Sequence, residues 1–290
     1  MTEVIDAHVH YWKVARGDYR WMTPELSICR DFLPVDAAPL FRAAGVEGIV
    51  LVQAADSEAE TRFMLRLAEA DTRVRGVVGW VDMAAPDAPD RLAALARNPL
   101  LRGIRPMWQD IAADDWFLQP ELDAAYRAVV DLGLSFDALA RVRHLPLLPK
   151  LVERHPDLPI VIDHAAKPEI AAGHFEDWRR GMAVLAGFPQ VMCKFSGLVT
   201  EAARGAPLEA IKPYAAALLE LFGPSRLIFG SDWPVVTTHR DYATWWEWAH
   251  LLTAHLTAAE QAAIFGGNAV RFYRLSSSSA LGSGAEAGMR

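Results

Sequence analysis

Two histidines and an aspartate stand where they could share one reaction centre. His8 and His10 end the first apolar segment with one residue between them, and Asp232 lies far downstream in Phe-Gly-Ser-Asp-Trp-Pro. Residues two apart in a strand project to the same side, so both imidazoles would face one way, with Asp6 one step below. His164, at the end of another apolar run, would add a third imidazole. The pattern predicts a site that holds a metal or an anion beside a carboxylate ligand or general base.

Other polar side chains also fall where apolar runs end. We consider Arg105 and Lys194 as contacts to substrate oxygens, although Lys194 could instead extend to solvent and Asp137 could simply pair with Arg105. Asp232 could likewise cap the segment that follows it, and His164 could be a core histidine. The shared placement at strand ends favours chemistry over these structural roles. The residues concerned, besides those of the first group, are Gln53, Trp80, Asp82, Arg105, Asp137 and Lys194.

The elements that would position these residues are strands alternating with helices. Amphipathic or well-terminated helical stretches at 57–71, 119–132 and 208–222 lie between short apolar runs, which indicates parallel βαβ units. Eight such units predict a (β/α)8 TIM barrel, whose active site lies at the carboxyl ends of the strands. A doubly wound open sheet is less favoured because no Gly-x-Gly-x-x-Gly turn follows the first run. The predicted strands are 4–10, 48–53, 76–81, 103–106, 134–138, 159–164, 191–196 and 227–232.

Composition narrows the class of protein. The 290 residues carry 29 basic and 36 acidic side chains, a net charge of −7, which gives no basic surface for nucleic acid. Cys29 and Cys193 are far apart and favour a reducing cytoplasm over a disulfide framework. We expect no signal peptide and no membrane span. We expect one domain over residues 1–275 and a flexible tail over 276–290, which is small and polar.

The long connection at 11–34 has no clear periodicity. Connections of this length in compact domains are often lids or binding loops, and aromatic rings beside cations would suit a polar ring substrate. Packing on the barrel rim or at a subunit interface is an equally weighted alternative. Its aromatic and basic residues are Tyr11, Trp12, Tyr19, Trp21, Lys13, Arg16 and Arg20.

These motifs resemble the amidohydrolase superfamily. The pair His8-x-His10, His164 and Asp232 match the superfamily pattern on strands 1, 6 and 8 one by one. The phrases around them resemble more narrowly the sugar-acid lactonases, a branch with L-fuconolactonases and L-rhamnono-lactonases, and more distantly 2-pyrone-4,6-dicarboxylate lactonase. The phrases are Asp-Ala-His-Val-His-Tyr-Trp from Asp6, Val-Gln-Ala from Val52, Val-Gly-Trp from Val78, Leu-Arg-Gly-Ile-Arg from Leu101, Val-Ile-Asp-His-Ala-Ala-Lys-Pro from Val161, Cys-Lys-Phe-Ser-Gly-Leu-Val-Thr-Glu from Cys193 and Phe-Gly-Ser-Asp-Trp-Pro from Phe229.

The resemblance implies hydrolysis of a sugar-acid lactone in which Asp232 takes a proton from water. Cationic groups or a metal would stabilise the oxyanion, and Asp232 would then protonate the leaving ring hydroxyl. His8, His10 and His164 would be its catalytic partners. We expect substrate contacts from Arg105, Lys194, Gln53, Trp80, Trp108, Trp12 and Trp233.

One feature departs from the superfamily pattern. Binuclear members carry a bridging Lys or Glu on strand 4 and a histidine on strand 5, where this chain has Arg105 and Asp137. A two-metal site is therefore not expected. One Zn²⁺ held by His8, His10 and Asp232, or catalysis without metal, both stay open.

A rival activity is metal-dependent decarboxylation of an aromatic or dienoic acid, which occurs in the same superfamily. A barrel that binds sugar acids without catalysis fits poorly, because the aspartate and the histidines are all present. We expect a small-molecule substrate, no nucleic-acid or membrane partner, and consider a homodimer. The stereochemistry of the sugar stays open.

Overall fold

The structure, a computed structural model, describes residues 3–276 and shows eight parallel strands in that part of the chain. Each strand pairs with the next in sequence order. At the carboxyl end of β1, Asp232 N donates to His8 O at 2.9 Å and His10 N donates to Trp233 O at 2.7 Å, which joins the segment after the last strand to the first strand. The (β/α)8 barrel prediction is confirmed. The strands are β1 Ile5–Val9, β2 Gly48–Val52, β3 Val74–Gly79, β4 Leu101–Ile104, β5 Ser135–Ala138, β6 Ile160–Ile162, β7 Met192–Phe195 and β8 Leu227–Phe229.

Helices lie between the strands, and two of three helix predictions are close to the observed bounds. The helix expected at 57–71 begins after Ser57, whose Oγ accepts from Glu60 N at 3.1 Å. The helix expected at 119–132 begins later than predicted, at Asp123, because Pro120–Leu122 forms a separate 3₁₀ turn before it. The helices within the described residues are α1 Pro34–Ala44, α2 Glu58–Ala70, α3 Ala88–Ala96, α4 Asp123–Asp131, α5 Leu148–Arg154, α6 Phe175–Ala186, α7 Leu198–Glu201, α8 Leu208–Phe222, α9 Tyr242–Thr253, α10 Ala258–Ala262 and α11 Asn268–Phe272.

Several strands are shorter than predicted at their carboxyl ends. The run 159–164 leaves the sheet after Ile162, and the run 227–232 leaves it after Phe229. The polar residues that end these runs adopt turn conformations instead of continuing the ladder. They consequently lie at the mouth of the barrel, where the connecting loops converge.

Apolar side chains fill both faces of the sheet. Along β2, Val50 and Val52 pack in one cluster while Ile49 and Leu51 pack in another, as strand alternation requires. The second and larger cluster lies between the strands and the helices. The first fills the inside of the barrel and consists of Ile5, Ala7, Val50, Val52, Val78, Val161, Met192, Ile228, Ala269, Phe272, Tyr273 and Leu275.

The first strand is irregular, and this corrects the expected position of Asp6. The pairing of β1 with β2 shifts register between Asp6 and Val9. The Asp6 carboxylate accepts from Ser231 N at 2.8 Å and from the hydroxyl of Tyr242 on α9 at 3.2 Å. It therefore braces the loop after β8 against the helix layer and does not lie beneath His8.

Three other expectations concern the surroundings of the barrel. Over residues 3–276 there is no helix with the length and apolar character needed to span a membrane. Cys29 and Cys193 are both free thiols. The tail expected at 276–290 lies, beyond Ser276, outside the described residues.

Candidate active site

Asp232 lies among three imidazoles. Its Oδ1 is 3.1 Å from His10 Nε2 and 3.8 Å from both His8 Nε2 and His164 Nε2. All four residues are buried, and Asp232 is 5 % exposed. The structure thus brings together the four residues that the sequence predicted to be catalytic.

The backbone around Asp232 leaves its carboxylate free for this site. Asp232 lies three residues beyond β8 with a φ of 60°, a left-handed conformation that aspartate tolerates better than most residues. The short 3₁₀ helix Val235–Thr238 that follows has no side-chain cap. The alternative role of Asp232 as an N-cap is therefore not the one that the structure shows.

His10 presents a lone pair to Asp232. Its Nδ1 is 2.7 Å from Val52 O, and because a carbonyl oxygen only accepts, Nδ1 carries a proton and donates. In neutral His10, Nε2 is then unprotonated and faces a carboxylate oxygen at 3.1 Å. Two acceptors this close need a proton or a cation between them, and a histidine fixed through its other nitrogen is a common metal ligand.

Lys194 lies beneath the site and does not line it. The side chain is fully buried; its ammonium donates to Asp137 Oδ2 at 2.6 Å and lies 3.0 Å from Asp163 Oδ1. It also lies 2.9 Å from His8 Nδ1, and since an ammonium can only donate, this nitrogen accepts. His8 Nε2, on the other side of the ring, faces both the Arg105 guanidinium and the Asp232 carboxylate.

Arg105 is paired with Asp163, not with Asp137 as one alternative had it. Its Nη1 donates to Asp163 Oδ2 at 3.2 Å and lies 3.3 Å from His8 Nε2. Its Nη2 donates to Gln53 O, and Gln53 Nε2 donates in return to Arg105 O at 2.6 Å. Asp137 pairs with Lys194 instead, and Asp163 faces both cations, one with each of its oxygens.

Burial and neighbouring charges set the protonation states. Burial lowers the pKa of His164 to about 4, although Asp232 and Asp163 oppose the shift. Burial together with the charge of Lys194 holds the pKa of His8 well below its ordinary value. Burial would raise the pKa of Asp232, but His164, His10 and His8 outweigh it and keep that pKa below the usual range. Near neutral pH, Asp232 is thus a carboxylate that can accept a proton.

A cavity of about 270 Å³ opens beside Asp232. Ligand sites for larger molecules typically span roughly 300–1,000 Å³, so this volume suits a substrate of one ring. Arg105, Arg141 and Lys167 contribute positive charge to its wall, and Asp110 and Asp232 contribute negative charge. Its lining residues are His10, Trp21, Ala54, Arg105, Met107, Gln109, Asp110, Leu139, Arg141, His164, Lys167, Asp232 and Val235.

Residues 5–275 match the family model described as amidohydrolase. The chain belongs to the amidohydrolase family. A protein of Burkholderia ambifaria named L-fucono-1,5-lactonase is 46 % identical over 95 % of this chain and 97 % of its own length. One of the same name from Burkholderia multivorans is 38 % identical over 93 % and 96 %. A crystal structure of a Burkholderia multivorans amidohydrolase with bound Zn is 35 % identical, with a TM-score of 0.90, over 94 % of this chain and 100 % of that one.

Of the seven side chains expected to contact substrate in this amidohydrolase, Arg105 lines the cavity and the other six do not among the described residues. The indoles of Trp12, Trp108 and Trp233 are buried and pack on other aromatic rings. Burial and ring packing stabilise such large side chains more than contact with solvent would. Trp80 lines a neighbouring cavity of about 360 Å³ instead. Gln53 and Lys194 are bonded beneath the site, as described above.

The cavity residues outside the predicted set of site residues include Trp21, Arg141 and Lys167, of which Trp21 was expected only as part of the candidate binding loop. Trp21 belongs to the long connection at 11–34, and its Nε1 donates to Ala54 O at 2.6 Å. Lys167 stands in a phrase that carried the resemblance, three residues after His164, which was a usable signal. Arg141 follows β5 and lies 3.6 Å from Asp110. Nothing in the sequence around Arg141 distinguished it from other exposed arginines.

Proposed function

We propose that this amidohydrolase opens a sugar-acid lactone to the free acid, with L-fucono-1,5-lactone or a related 6-deoxy aldonolactone as substrate. The observation that carries the proposal is the ionised Asp232 at a cavity of single-ring size, facing three imidazoles. The two relatives named L-fucono-1,5-lactonase, which match nearly the whole chain, support the choice of substrate.

The groups at the cavity can carry each proton of the reaction. Asp232 takes a proton from the attacking water, which adds to the lactone carbonyl. Arg105 is a donor on the same side, and a fixed donor to the oxyanion is typically worth about 3 kcal/mol. When the ring C–O bond breaks, the acid form of Asp232 returns its proton to the leaving oxygen. An alkoxide leaves more readily than an amine, so amides should react poorly.

One divalent ion fits this site. His10 and Asp232 would hold it, because their facing acceptor atoms are already 3.1 Å apart. His8 Nε2, 3.8 Å from the same carboxylate oxygen, would complete the predicted set. A Zn²⁺ ion bound there would polarise the carbonyl and acidify water. The Zn-bound structure of the 35 % identical relative supports this assignment.

A second ion has no comparable place among the described residues. The other group of candidate ligands contains Asp163, and both of its oxygens already face cations, Lys194 and Arg105. We expect elemental analysis to give one equivalent of metal or fewer per chain. Two firmly bound ions, both required for activity, would contradict this expectation.

A stereochemical series of 1,4- and 1,5-aldonolactones tests the function, with acid release followed by a pH indicator. Spontaneous opening of the 1,5-lactones is subtracted from a blank without enzyme. We expect kcat/KM to fall tenfold or more for each inverted hydroxyl that the site reads, because an unmatched hydroxyl leaves buried groups unpaired. Inactivity across the series, together with CO₂ release from an aromatic acid, would support the decarboxylase instead.

We also propose that residues 1–275 act as one domain, that the protein works in the cytoplasm as a homodimer, and that nucleic acid is not a partner. Two free thiols support the cytoplasmic compartment, and the net charge of −7 supports the absence of a nucleic-acid role.

The exposed Leu251, at a groove between α8 and α9, supports association through an apolar face. Light scattering after gel filtration tests the dimer.

A further inference from the structure

The turn after β6 is wound in the left-handed sense over four residues that are not glycine. The φ angles of His164, Ala165, Ala166 and Lys167 are 50°, 51°, 58° and 51°. Each such residue costs roughly 1 kcal/mol relative to ordinary backbone, and strain of this kind clusters at functional sites. The turn is held by Lys167 N, which donates to His164 O at 2.8 Å, and by Trp178 Nε1, which donates to Ala165 O at 2.7 Å.

The result of this turn is that its first and last side chains line the same cavity. His164 and Lys167 both contribute to the wall beside Asp232, while Ala165 and Ala166 are fully buried. An ordinary right-handed turn would direct these two side chains differently. The strained backbone therefore has a definite effect, which is to bring an ammonium to the imidazole and carboxylate of the site.

The Lys167 ammonium is available for a ligand. Within residues 3–276 it has no hydrogen bond or ion pair. Burial lowers its pKa from the ordinary value, and Glu201 and Asp232, which attract it from a distance, oppose that shift. Lys194, by contrast, has three acceptors within 3.0 Å. Of the other two cations on the wall, Arg105 is paired with Asp163 and Arg141 lies near Asp110. Lys167 alone among these described cations brings a full set of unused donors.

We propose that Lys167 is a catalytic residue that binds the negative charge formed on the ester oxygens, in the tetrahedral intermediate and in the product carboxylate. This rests on the proposed lactone hydrolysis. Proton transfer from water to Asp232 moves the negative charge of the site onto the ester oxygen. After Asp232 has returned that proton to the leaving oxygen, ionisation of the product acid leaves a second carboxylate in the cavity. A carboxylate or oxyanion is bound most strongly by a charged donor, and the product carboxylate is also repelled by ionised Asp232 on the same wall. Lys167 supplies the charge that offsets that repulsion, and its N–H groups need no partner to be displaced.

The experiment compares Lys167→Met and Lys167→Arg with the wild type, and uses Lys150→Met, an exposed lysine on α5, as the matched control. We expect kcat/KM on the best lactone of the series to fall about 10²–10³-fold in Lys167→Met, and less in Lys167→Arg, which keeps the charge. Calorimetry then measures binding of the product aldonate and of its alditol. The aldonate should bind tenfold or more weakly to Lys167→Met, whereas the neutral alditol should change less than threefold.

The outcomes separate this role from the function itself. If the wild type opens no lactone, the hydrolysis proposal fails and the role of Lys167 fails with it. If the wild type is active and Lys167→Met keeps kcat/KM within threefold, only the role of Lys167 is overturned. A loss of rate in which aldonate and alditol affinity fall equally, or neither falls, would also overturn it, because a purely structural effect does not distinguish a charged ligand from a neutral one.

Discussion

The residue on which the chemistry depends most is Asp232, and its environment serves two opposed needs. Burial alone would favour the protonated acid, which cannot act as a base. The three imidazoles around it more than offset burial, so the carboxylate stays ionised within a largely enclosed site. Near neutral pH this carboxylate is therefore in the form that can accept a proton or hold a cation. That is the property required of a group that removes a proton from water.

Replacing Asp232 by Asn should remove most hydrolysis and leave the fold intact. Asn has the same shape and tolerates the positive φ at this position, but its amide cannot take a proton. We expect kcat to fall by roughly 10²–10⁴-fold, as for other general bases. Thermal unfolding and metal content are measured alongside, and Asp157→Asn, at an exposed site before β6, is the control. Near wild-type kcat in Asp232→Asn would exclude Asp232 as the base.

At the scale of elements, α2 fastens the long connection that carries Trp21. Glu60 on α2 accepts from the N–H groups of Ala54 at 2.9 Å and Ala55 at 2.6 Å, in the turn after β2. Ala54 O in turn accepts from Trp21 Nε1, and both residues line the cavity. Ser57 Oγ ties Asp18 to the same turn at 2.7 Å. One buried carboxyl group therefore links a helix, a strand end and a loop at one side of the site.

The protonation state of Glu60 should make the free energy of unfolding depend on pH. Burial raises its pKa from 4.5 to about 8, so between these values the folded protein holds a proton that the unfolded chain has lost. The free energy of unfolding should therefore fall as pH rises from 5 to 8.5, by up to a few kcal/mol from this group. Gln at this position can still accept from both N–H groups but does not titrate.

Urea unfolding of wild type and Glu60→Gln at several pH values measures this effect. Asp6 and Asp137, whose pKa values burial raises to about 6, contribute the same slope to both proteins and cancel in the difference. We expect the free energy of unfolding of Glu60→Gln to increase relative to that of the wild type as pH rises from 5 to 8.5. Parallel stability curves would show that Glu60 is ionised in the folded protein throughout.

At the scale of the whole molecule, the barrel could be predicted because its signals are local and repeated. Each apolar run is followed by a helical stretch, and the alternation leaves few other topologies. The site could be located for the same reason, since His8, His164 and Asp232 all follow or end such runs. Strand ends were less accurate, because Asp163 and Asp232 look like continuations of apolar runs although their backbones turn away.

What could not be predicted depends on contacts between distant segments. A lysine in an apolar strand either reaches solvent or pairs in the interior, and nothing near Lys194 in sequence decides between these. The partners that settle it, Asp137 and Asp163, come from β5 and from the end of β6. The left-handed turn that presents Lys167 could not be predicted either, because His-Ala-Ala-Lys contains no glycine, the residue that usually indicates such a turn.

The buried charged groups around Lys194 connect β5, β7 and the segment after α11, and they also support the site. Lys194 lies on β7, its partner Asp137 on β5, and Tyr273, after α11, donates to Asp137 Oδ2 at 2.8 Å. All three side chains are buried, so no water can replace a lost partner. Asp163 would keep Arg105 if Lys194 were removed, whereas Asp137 would keep only the hydroxyl of Tyr273. The cost of losing the ammonium therefore falls mainly on Asp137.

Lys194→Met should accordingly lower the free energy of unfolding by about 3–5 kcal/mol, the usual cost of leaving one member of a buried pair alone. Adding Asp137→Asn should restore part of the loss, because the amide carries no charge and still accepts from Tyr273. Lys212→Met, which breaks only the exposed contact with Glu209, should change stability by less than about 1 kcal/mol. Denaturant unfolding of the four proteins measures these differences. If Lys194→Met matched Lys212→Met, or if the double variant were no more stable than Lys194→Met, the charge on Asp137 would not be what Lys194 balances.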